Sequence, residues 1–476
     1  MGQMMRVLIV EDDQDFVDEL RITLGRLAGP PDVTVAGSRD SAYARLENEF
    51  FDLLILDLKI PTVDLALDAD PAHGHAVFGR ALNCAPGTPV FILTGSPVED
   101  FVPEILAGKR HVDIWGEGRE VGTVDILKKN KFSEAEAKLE PLATAVWELS
   151  EVELIRGDTE LTIEDERLVR IFARRAGGVR CVVSGIDSGL SSAKVIRLKL
   201  TDAGGAHVHD AVAKLGSIPE VRDESSRFDA HISRLDPEAT PRKLQTLEFG
   251  AKARAAIFYG LAAGFDLNGF EACVRPEPLA SVPRRVQEAT NPWRKGVVET
   301  PRRIQEIRRR LISDADFHRA TAPHSILWLN DFENRQVQTH WCIVQGDLHG
   351  GNVLARIDGS CVLIDYGDVG EGPASLDPLT LEFSLLFHPK GPLRGGEWPT
   401  ADQANHWADL DQYLDACPAA NFIRACREWT HEVAVGPREI AAAAYSYLVR
   451  QLKYPDVDKY LTLALLESIH TWFLST

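Results

Sequence analysis

The run Arg6–Val10 (RVLIV) is apolar and rich in β-branched residues, and it stops abruptly at Glu11, Asp12 and Asp13. The same design recurs downstream: Leu53–Leu56 stops at Asp57, Val90–Leu93 at Thr94, and Val124–Leu127 at Lys128 and Lys129. Helix-like stretches lie between these runs, Phe16–Leu27 and Ser41–Asn48 among them. Apolar runs without polar alternation are buried on both faces, and strands separated by helices pair in parallel. The residues therefore predict a doubly wound α/β layer whose strand carboxyl ends share one edge, where a ligand would bind.

Glu11, Asp12 and Asp57 would meet on that edge despite their separation in sequence. Clustered carboxylates repel one another unless a cation sits among them. Hard oxygen donors suit Mg²⁺, which keeps several waters and takes one or two carboxylates together with phosphate oxygens. Thr94 and Lys129 add a hydroxyl and a positive charge for phosphoryl oxygens. One acidic residue at a strand end reads equally well as a solvated loop residue. The ordered set after successive strands does not.

The motifs VLIVEDD, LLILDL, FILTGS and DILKK, spread over residues 5–132, resemble the receiver domain of bacterial two-component response regulators. The resemblance implies a flavodoxin-like, doubly wound parallel sheet with Asp57 as phospho-acceptor. It implies Asp12 and Asp57 as direct Mg²⁺ ligands, Glu11 acting through water, and the Lys59 carbonyl completing the shell. It also implies an upstream sensor histidine kinase as phosphoryl donor. The sequence departs from the family in a long Pro61–Gly74 loop and in an insertion, HVDIWGEGREVG, before Lys129. Asn130 replaces the usual proline, and Ile126 stands where a switch aromatic is expected. These departures put the usual output face in doubt and direct the inserted material toward the second domain.

A receiver over residues 1–132 leaves a connector (133–175) and a C-terminal domain (176–476), the latter divided near 260 into a small and a large lobe. The connector, from Lys131 to Arg175, reads as helical with breaks at Pro141 and Gly157. Its position makes it the expected route for a signal from Asp57. In CVVSGIDSGLSSAKVIRLKL, Gly185 and Gly189 permit close backbone approach to a ligand, and Ser188, Ser191 and Ser192 add hydroxyls. The pattern also suits a plain hairpin. Lys214 in AVAKLG suits the phosphates of a nucleotide, or an edge strand on which its stem packs.

The stretch CIVQGDLHGGNVLARIDGSCVLIDYGD is more specific. A β-rich run reaches Asp347, Asn352 comes next in a glycine-containing loop, and further strands return the chain to Asp365. Asp347 can accept a proton from a hydroxyl, while Asn352 and Asp365 offer hard oxygens to Mg²⁺. That is a layout for metal-assisted phosphoryl transfer. The stretch resembles the aminoglycoside/choline phosphotransferase branch of the protein-kinase-like fold, which is α+β and bilobal. The resemblance implies ATP and Mg²⁺ as cofactors, Lys214 on the α- and β-phosphates, and Glu224 (or Glu220) as its helix partner. It also implies Asp347 as base, Asn352 and Asp365 as metal ligands, and Asp377 as a brace for the loop. Gln345 stands where the family has histidine. The acceptor, a small molecule or a protein hydroxyl, is open, and a scaffold that binds nucleotide without turnover is the competing reading.

Leu244–Ala263 reads as a strand or hinge and then a helix, and the stretch around Arg302–Arg310 as a basic helix able to meet an anionic partner. The net charge of -19 weighs against a nucleic-acid partner. No compact helix-turn-helix lies outside the motifs above. The seven cysteines show no metal-ligand spacing and read as reduced, mostly buried thiols. No apolar run is long enough for a membrane span, so a cytoplasmic protein with no membrane partner is expected. A homodimer is left open.

Overall fold

The structure is a computed structural model that describes residues 4–27, 29, 31–94, 110–129, 132–186, 193–262 and 264–476. The side chains of Thr94, Phe132 and Ser133 lie outside this description. The chain divides into two compact units: the described parts of Met1–Ile186, Ser192–Val221 and Lys243–Gly260, and the described parts of Arg222–Arg242 and Leu261–Thr476.

The first unit begins with strands β1 (Arg6–Val10), β2 (Asp32–Ala36), β3 (Leu53–Asp57) and β4 (Val90–Thr94). A short ribbon, β5 (His111–Val112) with β6 (Val121–Gly122), precedes β7 (Val124–Lys128). The sheet order is β2-β1-β3-β4-β7, and every pairing is parallel. The chain order reverses between β1 and β3, so the crevice at their carboxyl ends is the switch point of a doubly wound sheet. Four of these strands match the apolar runs of the sequence. The fifth, β2, is not one of those runs: DVTVA is a half-exposed edge strand, too short and too polar to stand out.

Strand alternation sends successive side chains to opposite faces, and each face has its own core. Leu8, Val10, Leu54, Leu56 and Ile92 pack under the helices Arg39–Asn48 and Pro71–Cys84. The second of these helices starts at Pro71, inside the segment expected to be loop, with Asp70 as its N-cap. Val7, Ile9, Ile55, Phe91 and Leu93 face the helices Gln14–Leu24 and Phe132–Ser150. Pro141 does not break the latter helix. Its exposed ring costs one backbone hydrogen bond, while Leu139, Leu142, Val146 and Leu149 hold the helix by burial.

The apolar core on this second face continues into a further sheet. It takes in Leu168, Val169 and Phe172 of the helix Ile163–Arg175, then Cys181, Val183, Ile196, Leu198, Ala213, Leu215 and Phe258. These last belong to β9 (Arg180–Ile186), β10 (Lys194–Thr201), β11 (His207–Ser217) and β13 (Arg254–Leu261), in a sheet ordered β12-β13-β11-β10-β9-β8 with β8 (Glu153–Ile155) and β12 (Arg242–Leu247) at its edges. The helix expected within Leu244–Ala263 is therefore strand β13. Its alanines favour helix in isolation, but Ala255–Tyr259 are buried between strands, and burial outweighs so weak a propensity.

The insertion at 111–122 is seated in this same core, with Ile114 and Trp115 buried at 2% and 3% exposure. A Cβ on Gly250, whose φ is +85°, would lie 2.7 Å from Ile114 Cγ2, so the β12–β13 turn closes directly on the insertion. Arg175 Nε donates to Asp113 Oδ2 at 3.1 Å, so the insertion also meets the expected connector segment. The helix Ile163–Arg175 carries charges to both sheets. Arg167 Nη2 donates to Asp52 Oδ1 at 2.5 Å beside β3, with both side chains at most 4% exposed. Asp165 accepts from Arg254 Nη2 at 2.7 Å beside β13.

The second unit contains two small sheets, of which one pairs Val298–Arg303 with Gln336–Val344. Its helices include Leu376–Phe387, Ala420–Val433, Pro437–Gln451 and Lys459–Ser475. The expected basic helix is instead a strand ending at Arg303 and then the short helix Ile304–Arg308. Two of its arginines are matched by acids: Arg308 reaches Glu333 and Asp314 at 2.7 Å each, and Arg309 reaches Asp314 at 2.9 Å. All seven cysteines are free thiols, and five are buried. Among the described residues, no helix is long and apolar enough to cross a membrane.

The Arg167–Asp52 pair gives a direct test of the helix that joins the two sheets of the first unit. Arg167→Ala leaves a buried carboxylate without its counter-charge, a loss of roughly 3–5 kcal/mol. The expected outcome is a lower thermal midpoint and faster amide exchange in β3 and in helix Ile163–Arg175. The double change Arg167→Met with Asp52→Asn, which retains an acceptor for the Arg6 N–H, should recover more than half of that loss.

Candidate functional site

The carboxyl edge of the first sheet gathers the acidic residues as the sequence requires. Glu11, Asp12 and Asp57 place carboxylate oxygens within 4.8 Å of one another. Asp13, next in sequence, is turned to a different task and caps the following helix by accepting from the Asp15 and Phe16 amides. Lys129, just past β7, donates from Nζ to Glu11 Oε2 at 2.6 Å and to Asp57 Oδ2 at 2.9 Å. The same ammonium lies 4.7 Å from the centroid of the Phe16 ring.

Burial raises the Glu11 pKa, and the neighbouring Asp57 charge raises it further against the pull of Lys129. Burial alone would lower the pKa of Lys129, but its hydrogen bonds to Glu11 and Asp57 outweigh that and hold it above the ordinary value. One ammonium against three carboxylates leaves two negative charges, which a divalent cation would neutralise. The donors are hard oxygens, so the residues present fit Mg²⁺. Lys59 lies exposed in the turn after β3. Thr94 ends β4, and its side chain lies outside the described residues.

In the second sheet of the same unit, Gly185 lies on β9 opposite Ile196, with nothing nearer a Cβ there than Thr159 Oγ1 at 3.9 Å. Ser188, Gly189, Ser191 and Ser192 lie outside the described residues. Lys214 is not on an edge strand: β11 is interior to the sheet, and Lys214, opposite Val195, is only 9% exposed. Of the two candidate glutamates, Glu220 caps its helix by accepting from Ser217 N and Oγ at 2.8 Å each. Glu224, on the same helix (Ile218–His231), is buried at 1% exposure.

In the second unit, the residues singled out around Asp347 form one hydrogen-bonded assembly. Asp377, at the start of helix Leu376–Phe387, accepts from Gln345 N at 2.8 Å and Gly346 N at 3.0 Å. Gln345 spends its side chain on the same loop: Nε2 donates to the Asp365 carbonyl at 2.6 Å, and Oε1 accepts from Asp347 N at 2.7 Å. Asn352 Nδ2 donates to the Asp347 carbonyl at 2.9 Å. A Cβ at Gly346, whose φ is +84°, would lie 2.5 Å from the Asp368 carbonyl oxygen, so only glycine allows the two loops this close. Asp365 itself has φ +60°, a left-handed conformation that aspartate tolerates better than most residues.

Sequence reasoning missed Arg450. Its Nη1 donates to Asp347 Oδ1 at 3.0 Å from the end of helix Pro437–Gln451. Burial would raise the Asp347 pKa, but the Arg450 charge prevails and holds the carboxyl below its ordinary range. Nothing in the run SYLVRQLK marks the arginine, because the contact spans 103 residues. Burial pushes the Asp377 carboxyl up to about 6 against its two amide hydrogen bonds.

No protein-family model matches the chain, and no curated protein matches it. Solved structures overlap its N-terminal part. A CheY-like response regulator receiver domain protein from Methanospirillum hungatei JF-1 is 22% identical over 30% of this chain and 98% of its own, with a TM-score of 0.22. The phosphorylated cyanobacterial phytochrome response regulator RcpA is 21% identical over 30% of this chain and 94% of its own, with a TM-score of 0.23. The receiver domain of a sensor histidine kinase from Pseudomonas aeruginosa PAO1, which holds a magnesium ion in its active-site cleft, is 17% identical over 30% of this chain and 99% of its own, with a TM-score of 0.22. Each of these likenesses covers about 30% of this chain, and the parallel sheet order and acidic edge of the first unit stand independently of them.

Two outcomes are expected at these sites. A carboxyl whose pKa is higher folded than unfolded adds stability below the unfolded value and loses it as pH climbs through the raised one, so ionised Glu11 is a cost that a cation offsets. Millimolar MgCl₂ should therefore raise the melting temperature, more so as pH rises through the Glu11 pKa, and Asp57→Asn should shrink the gain. At the second site, Gln345→Ala strands the Asp347 amide and the Asp365 carbonyl, at roughly 1–3 kcal/mol for each group left unsatisfied. Hydrogen exchange should then quicken across residues 345–367.

Proposed function

We propose that the chain is a phosphorelay response regulator whose output is ATP- and Mg²⁺-dependent phosphoryl transfer. The observation that carries the receiver half is Lys129 spanning Glu11 and Asp57 beside Asp12. Asp57 is the nucleophile that takes a phosphoryl group from an upstream sensor histidine kinase, and Lys129 then exchanges its contact with the carboxylate for one with a phosphoryl oxygen. Bound at Asp12 and Asp57, with Glu11 acting through water and the Lys59 carbonyl completing the shell, Mg²⁺ would offset the charge that gathers there. Thr94 supplies its hydroxyl to the same group.

The transferase half is supported by the bonded assembly of Gln345, Asp347, Asn352, Asp365 and Asp377. On this reading Asp347 accepts the acceptor's proton, Asn352 and Asp365 hold Mg²⁺, and Asp377 fixes the backbone of the loop. Gln345 takes the place of histidine by bonding both loops at once. Lys214 holds the α- and β-phosphates of ATP with Glu224 as its helix partner, and Gly185, Gly189, Ser191 and Ser192 line the phosphate turn. A second reading, a nucleotide-binding scaffold without turnover, is favoured by the Arg450 hydrogen bond, which occupies the Asp347 carboxylate.

Labelled ATP offered with a pool of metabolites and proteins separates the two. Transfer should require Mg²⁺ and fall roughly 10²–10⁴-fold in Asp347→Asn, with a comparable loss in Asp365→Asn. Nucleotide binding without transfer to any acceptor would establish the scaffold. In parallel, acetyl phosphate should label the wild-type chain and not Asp57→Asn. Label retained in that variant would overturn the receiver assignment.

A further inference from the structure

The second unit has a pocket in front of Asp347, walled by His349, Phe387, His388, Tyr447, Arg450 and Tyr454. Its walls are largely aromatic, with the His349 and His388 rings stacked at 4.5 Å between centroids. The lining holds two carboxylates, and each faces an arginine. Asp347 Oδ1 meets Arg450 Nη1 at 3.0 Å, and Asp456 Oδ2 meets Arg394 Nη2 at 2.7 Å. Arg450 Nε is further anchored to Tyr454 Oη at 3.3 Å. Although the chain carries a net charge of -19, this pocket has no carboxylate to spare.

That balance restricts what can be bound. An amine-rich acceptor would have to draw a carboxylate away from its arginine, leaving a guanidinium beside an ammonium in a half-enclosed space. A hydroxylated anion does the reverse. Its carboxylate or phosphate offers Arg450 a bidentate partner, and Asp347 Oδ1 is released to accept a hydrogen bond from the hydroxyl. We infer that the acceptor is a small hydroxylated anion, gripped by Arg450 through its charged group while its hydroxyl meets Asp347.

This rests on the phosphotransferase reading, in which Asp347 is the base. The hydroxyl oxygen forms a bond to the γ-phosphorus of ATP, and the hydroxyl proton passes to the Asp347 carboxylate. The bond from the γ-phosphorus to the bridging oxygen breaks, with its electron pair leaving on ADP. Arg450 is a specificity-determining residue, and its hydrogen bond to Asp347 in the structure is the resting state that an anion relieves.

The test uses the full chain with glycerol, D-glycerate, glycerol 3-phosphate and glucosamine as probes, titrated by calorimetry and then incubated with Mg²⁺-ATP under ³¹P NMR. At least one of the two anions should bind about tenfold more tightly than glycerol or glucosamine, and which one distinguishes a carboxylate from a phosphate grip. Arg450→Met should erase that preference, and Arg450→Lys, which keeps the charge in a folded chain, should restore part of it. Tightest binding of glucosamine, equal binding of all four probes, no anion binding at millimolar concentration, or anion binding indifferent to Arg450→Met would each overturn the inference. Arg450-dependent anion binding without any transfer upholds the pocket and overturns the phosphotransferase reading. Transfer without anion preference does the opposite.

Discussion

The first unit depends on one apolar core that does not stop where the parallel sheet ends. It runs from Val7 and Ile9 through Leu139 and Val146, past Leu168 and Phe172, to Ile196 and Phe258. Area removed from water is its driving force, and continuity is what gives it structural meaning. The helix Ile163–Arg175 contributes apolar residues to that core while its charged residues reach Asp52 on one side and Arg254 on the other. An element gripped by burial and by charge in this way behaves as part of both layers. On the reading proposed above, a phosphoryl group at Asp57, at the carboxyl end of β3, would act on a strand whose amino end lies next to Asp52, the partner of that helix.

Counter-charge is the second theme, and it governs both candidate sites. Carboxylates are gathered at loops where repulsion alone would scatter them. In the first unit Lys129 bridges Glu11 and Asp57. In the second, Arg450 meets Asp347, while Asp377 is held by backbone amides in place of a side-chain cation. On the readings proposed above, each arrangement would be a resting state that a ligand of the right charge enters by exchange: a cation and a phosphoryl group in one case, an anion in the other. The exchange costs less than creating a charged site anew, because the polar partners are already desolvated and oriented.

Much of this was legible in the residues themselves. An apolar run ending in an acid names both a buried strand and the edge its end must reach, so β1, β3, β4 and β7 and the meeting of Glu11, Asp12, Asp57 and Lys129 came from local pattern. The same holds for the loop from Gln345 to Asp365, whose short spacings leave few ways to arrange it. Where local pattern was weak or ambiguous, tertiary packing decided: β2 as a polar edge strand, β13 as a strand despite its alanines, and the helix that runs through Pro141. The same is true of contacts that join distant residues, namely Arg450 with Asp347, Arg167 with Asp52, and Ile114 against the β12–β13 turn. Short-range order is encoded by side-chain periodicity along a few residues. Long-range pairing is settled only when burial brings together groups whose separation in the chain carries no signal of its own.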